Sequence, residues 1–122
     1  DRRNCDQWLD EIADRQFVCL RDPYRGKRDP SSMGSGIMFW SGDMRWVWDE
    51  YVDSNKPITI PGGDQEFLEQ VIMKADYIQD FTDDVVSYKA DCRDGSYNWR
   101  DASIVYFHGK PRPWDQREIP WC

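Results

Sequence analysis

Four apolar runs, each too short for a helix, divide this chain and limit what it can fold into. Phe17–Leu20, Gly36–Trp40, Val85–Tyr88 and Ser103–His108 read as short strands, the first of them buried. Helical patterns lie between and before them. Residues 6–14 place Trp8, Leu9 and Ile12 on one face. Met44, Val47, Trp48, Tyr51 and Val52 recur at i, i+3, i+4, i+7 and i+8, behind a cap at Ser41 or Asp43. A break from Pro57 to Gly63 precedes a further helix, opened by Asp64, with Phe67, Leu68, Val71, Ile72 and Ala75 on its inner face. Residues 21–35, with Pro23, Gly26, Pro30 and Gly34, read as a long loop, a length that in compact domains tends to go with function or disorder. The expected class is α/β, with a short mixed sheet and flanking helices. These strands are too few for a complete doubly wound domain. The chain also opens on Asp-Arg-Arg rather than Met, so the expectation is the C-terminal part of something larger.

Charge and composition remove several classes. The formal charge is −7, from 16 Lys and Arg against 23 Asp and Glu, which disfavours a generic nucleic-acid binder. No run of about 18 apolar residues is present, so no membrane span is expected, and no signal peptide is visible. Aromatic residues make up 15%, a content that suits stacking on sugar or base rings as well as a small core of large side chains. Cys5, Cys19, Cys92 and Cys122 form no C-x-x-C pair, and with one His a structural zinc site is not expected. Two disulfides are arithmetically possible. The wide spacing favours free thiols in a reducing, cytoplasmic setting.

Three constellations bear on chemistry. Ser103–His108 ends in the chain's one His, followed by Gly109, Lys110, Pro111, Arg112, Pro113 and Trp114. On a strand Tyr106 and His108 project the same way, and His108 falls at the carboxyl end, where α/β sheets place ligands. His108 can ligate a metal, Gly109 lets the backbone approach, and Lys110 and Arg112 offset phosphate charge. The plainer reading is a His at a strand end beside two solvated cations. The second constellation is Pro61-Gly62-Gly63-Asp64-Gln65, where Asp64 is either a helix cap or, with Gln65, a hydrogen-bonding pair for a polyhydroxyl substrate. The third is Ser31–Gly36, small polar residues that line an acceptor pocket or simply form a flexible loop.

In this order the three segments resemble the C-terminal half of a GT-A-fold glycosyltransferase, of the glycogenin and lipopolysaccharide galactosyltransferase type. Ser35-Gly36-Ile37-Met38 resembles the family's small-Gly-(Val/Ile)-Met strand, and Asp64-Gln65 its helix-opening Asp-Gln pair. Tyr106–Trp114 resembles its terminal His-x-x-Gly-x-x-Lys-Pro-Trp. The resemblance covers roughly residues 9–114. It implies a partial GT-A-like domain in which Gly109, Lys110 and Arg112 hold the donor diphosphate and Asp64 and Gln65 flank the transferred sugar. Gly34, Ser35 and Gly36 would border the acceptor. The family's metal-binding His aligns with Tyr106, and His108, on the same face, takes its place. Arg112 stands where the family has Lys. The family's Asp-x-Asp strand would precede Leu9 by a few residues and has no clear counterpart.

The expectation that follows is a sugar transferase using a nucleotide-sugar donor, an acceptor glycan or other molecule, and a divalent metal, with Mn²⁺ suited to oxygen ligands and one imidazole. The alternative is a non-catalytic module that holds a glycan or protein through exposed aromatics. A glycosidase with paired carboxylates is a further alternative that no residue pair singles out.

Overall fold

The computed structural model describes residues 6–54 and 63–116. Helix α1 (Asp6–Ile12) leads into strand β1 (Phe17–Arg21), a 3₁₀ turn (Arg25–Lys27) and strand β2 (Met33–Trp40). Helices α2 (Arg45–Asp53) and α3 (Gly63–Val71) follow, then strand β3 (Asp76–Tyr77), a 3₁₀ turn at Ile78–Asp80, and strand β4 (Val85–Ser87). A π-helical turn (Tyr88–Cys92) and a 3₁₀ turn (Trp99–Asp101) precede strand β5 (Ile104–Tyr106), and a last 3₁₀ turn spans Pro113–Asp115. The architecture is mixed α/β, as expected.

Two small sheets carry the strands. One has the order β2-β1-β3, with β1 antiparallel to β2 and parallel to β3. The other pairs β4 with β5 in parallel. The central strand explains the uninterrupted apolar run at Phe17–Leu20. Val18 and Leu20 enter one core cluster, with Trp8, Ile12, Ile78 and Val85. Phe17 and Cys19 enter a second, with Met33 and Ile72. A strand covered on both faces cannot alternate apolar with polar residues, so its whole length is apolar. Burial pushes the Cys19 thiol up to about 11, which makes it a packing group rather than a nucleophile. Cys19 and Cys92 are both free and buried, as expected of thiols, while Cys5 and Cys122 lie outside the described residues.

Several boundaries differ from the sequence reading. The loop expected over 21–35 is shorter, because β1 extends to Arg21 and β2 begins at Met33. Leu20 pairs with Gly34 while Cys19 pairs with Met38, so residues 35–37 bulge out of the ladder. A Cβ on Gly34 would sit 3.2 Å from Leu20 Cβ, and the close strand approach accounts for that glycine. Helix α2 starts at Arg45 without a side-chain cap from Ser41; Asp43 Oδ1 accepts from the Arg45 amide instead. Helix α3 ends at Val71 rather than running on to Ala75, yet Ile72 and Ala75 still reach the second core cluster. Its expected cap is also displaced: Asp64 stands inside the first turn. Of the Pro57–Gly63 break, all but Gly63 lies outside the described residues. Strand β3 was not anticipated, since two residues carry no period.

Leu20 is 1% exposed and serves both the core and the bulge packing. Leu20→Ala is expected to cost about 2–5 kcal/mol in urea unfolding, and a loss under about 1 kcal/mol would contradict a fold centred on β1.

Candidate functional site

The site grows from the turn that leaves β1. Asp22 Oδ1 accepts from the amides of Tyr24 (2.9 Å) and Arg25 (2.8 Å), folding the chain back at once. Arg25 Nε returns to Asp22 Oδ2 at 3.2 Å. The Arg25 guanidinium also donates to Glu69 Oε1 (2.8 Å) and to the Met33 carbonyl (3.0 Å). Glu69 Oε1 accepts from the Met33 amide at 2.7 Å. Gln65, one helical turn before Glu69, donates to the Met33 carbonyl at 2.8 Å and lies 3.5 Å from Asp22 Oδ2. Helix α3 thus clamps the turn against the start of β2. Burial raises the Asp22 carboxyl, but the Arg25 and Tyr24 amides and the Arg25 guanidinium outweigh it, so Asp22 titrates below the ordinary range. The bond from Glu69 raises the Arg25 guanidinium in turn.

His108 approaches the same turn from the other sheet. Strand β5 ends at Tyr106, and Gly109, at φ +64°, turns the chain immediately after the His. Ser87, fully buried at the end of β4, places its Oγ 3.2 Å from His108 Nδ1. The same Oγ accepts from the Ala90 amide at 3.1 Å, which holds it still. The Tyr24 ring meets the imidazole edge to face at 5.4 Å, and Tyr106 lies 6.1 Å away on the side the strand alternation required. Phe107, between them, stacks on Tyr88 instead, at 4.9 Å. His108 Nε2 is enclosed and has no hydrogen-bond partner among the described residues. Burial lowers the His108 pKa, with Lys89 adding to the effect and Asp22 and Asp91 opposing it. Burial, with the Asp91 and Asp22 charges, drives the Tyr106 phenol the other way, so it stays protonated.

The expected site residues therefore divide. Gln65 and His108 each meet the Asp22–Arg25 turn, whose Asp22 and Tyr24 lie in a stretch without apolar periodicity. Asp64 separates from its neighbour: it is exposed and borders an apolar cleft between α2 and α3 with Trp48 and Phe67. Gly34, Ser35 and Gly36 lie at the β2 bulge, with Gly34 buried against Leu20 and next to the Met33 carbonyl that holds Gln65. Gly109, Lys110 and Arg112 are exposed beyond His108, and neither cation forms an ion pair with a described residue. Arg112 uses its amide to bond Asp115 Oδ2 at 2.9 Å.

A divalent metal would need several hard ligands here. His108 Nε2 is one unpartnered nitrogen, though enclosed, and no three His, Cys, Asp or Glu side chains gather into a cation set among the described residues. Those residues alone do not fit such a metal. No family model, no curated protein and no solved structure matches this chain significantly. No helix among the described residues is long and apolar enough to cross a membrane.

The lone His gives one clean test. The folded state favours the neutral imidazole, so between its lowered pKa and the unfolded value of about 6.5 only the unfolded chain takes up the proton. The stabilising contribution is present above about pH 6.5 and is lost as pH falls through the folded pKa. The imidazole C2 proton, followed by NMR, is expected to titrate below 6.5, and a midpoint above 6.5 would contradict the burial and the effect of the Lys89 charge.

Proposed function

We propose that this chain is the acceptor-side part of a GT-A-like glycosyltransferase that moves a sugar from a nucleoside-diphosphate donor to an acceptor hydroxyl. The observation that carries the reading is that Gln65 reaches Asp22 while His108 packs against Tyr24 of the same turn, from segments 43 residues apart in the chain. In the reaction the anomeric carbon–diphosphate oxygen bond breaks and an anomeric carbon–acceptor oxygen bond forms. The hydroxyl proton passes to an oxygen of the departing diphosphate, which also takes the electron pair of the broken bond.

Each group has a part in this. Asp22, held ionised, and the Gln65 side chain present a carboxylate and an amide to sugar hydroxyls. The Asp22 charge also favours the positive character that develops at the anomeric carbon. With Ser87 donating to Nδ1, His108 Nε2 keeps the ring's proton and offers it as a hydrogen bond to a phosphate oxygen once the ligand displaces the groups that enclose it. Lys110 and Arg112, exposed just beyond, offset the growing charge of the leaving diphosphate. A divalent metal, Mn²⁺ by the chemistry of such donors, would neutralise the same group when bound.

A second reading, a non-catalytic module binding a glycan or protein, is favoured by the exposed Trp40, Trp48 and Trp114. Release of UDP or GDP from their sugar conjugates, with Mn²⁺ supplied and the full-length protein, separates the two. Gln65→Ala and His108→Ala are each expected to lower turnover about 10- to 1000-fold. Turnover unchanged in both variants, or no Mn²⁺-dependent nucleotide binding at all, would refute the transferase reading.

A further inference from the structure

The apolar cleft between α2 and α3 has no role in the chemistry above. Its volume of about 490 Å³ falls in the range of small-molecule sites. Trp40, Val47, Trp48, Tyr51 and Phe67 line it, with Asp64 at the edge. Tyr51 and Phe67 meet edge to face at 5.4 Å, and Trp48 lies 5.7 Å from Tyr51. No residue of α2 is buried, although the helix carries two Trp, a Tyr and two Val. Trp48 is 63% exposed and Trp40 55%. Large rings left in water around a concave surface mark a binding site more often than a defect of packing.

The lining selects the chemistry of the occupant. A free saccharide carries hydroxyls all round its ring, and desolvating them unpaired is costly. Among the described residues the lining answers with one carboxylate and the N–H and O–H edges of its aromatic rings. An apolar body matches this lining more fully than a bare sugar, most of whose hydroxyls would find no partner in it. Charge narrows the choice further. Asp64 stands at the cleft, and α2 bears Asp49, Glu50 and Asp53 against Arg45 alone, on a chain of net charge −7. An anionic amphiphile, such as a fatty acid, would be repelled.

We propose that this cleft binds the alkyl or aryl body of a neutral hydroxyl compound, with Asp64 orienting the hydroxyl end, and that the compound is the acceptor. The acceptor role rests on the transferase reading, whereas the binding does not. The site accounts for the division of Asp64 from Gln65: adjacent in sequence, one serves the cleft and the other the Asp22 turn.

Equilibrium titration without any nucleotide sugar tests the binding separately from transfer. The probes are hexyl β-D-glucoside below its micelle concentration, methyl β-D-glucoside and hexanoate, read by calorimetry. The hexyl glucoside is expected to bind at least tenfold more tightly than either other probe. Trp48→Ala and Trp40→Ala, both at exposed positions, should each weaken it at least fivefold. Met73→Ala, 93% exposed and away from the cleft lining, should leave it unchanged. Absence of hexyl glucoside binding, equal affinity for methyl glucoside or hexanoate, or full affinity in both Trp variants would overturn the proposal. Such a result leaves the nucleotide-release assay as it stands, and a failed nucleotide-release assay leaves the cleft binding as it stands.

Discussion

Everything in this molecule depends on one strand being covered on both faces. β1 sends Val18 and Leu20 into one apolar cluster and Phe17 and Cys19 into the other, so a five-residue strand joins both halves of the core. Helix α1 and the Ile78 turn pack on one side, and the start of β2 and the end of α3 on the other. With so little sheet to share the load, a cavity under β1 would loosen both clusters at once.

The same strand places the site. Its last residue, Arg21, ties to Asp80 at 2.9 Å, and the next, Asp22, turns the chain by accepting two backbone amides. Because β1 is fixed, that turn is fixed, and α3 reaches it through Gln65 and Glu69 on one helical face. Tyr24 carries the arrangement across to His108 at the end of the neighbouring sheet. Charge and burial then set protonation. Asp22 is held ionised by the groups it turns around, and His108 is held neutral by burial and Lys89.

Much of the fold was legible in the sequence, because it rests on periodicity. The faces of α1, α2 and α3, the apolar runs of β1 and β4, and the alternation that sets Tyr106 and His108 on one side are local patterns. The rest lacks a period. β3 is two residues long, and the Asp22 turn is built from side-chain bonds to nearby amides inside a Pro- and Gly-containing loop. Its signal was an Asp two residues before Tyr24 and three before Arg25, the spacing of an Asx turn. The separation of Asp64 from Gln65 follows from helix geometry, which turns adjacent residues about 100° apart. The Gly34 reading changed for a tertiary reason: Leu20, 14 positions earlier in the chain, presses against that backbone.

The central claim is that Asp22 and His108 belong to one site. NMR titration of the chain's single His in Asp22→Asn tests it most directly, because the substitution keeps the oxygen that accepts the Tyr24 and Arg25 amides and removes the charge. The Asp22 charge raises the His108 pKa, so its loss should move the midpoint lower than in the unaltered chain. An unchanged midpoint, in a variant with native circular dichroism, would place the two residues in separate environments and contradict the account.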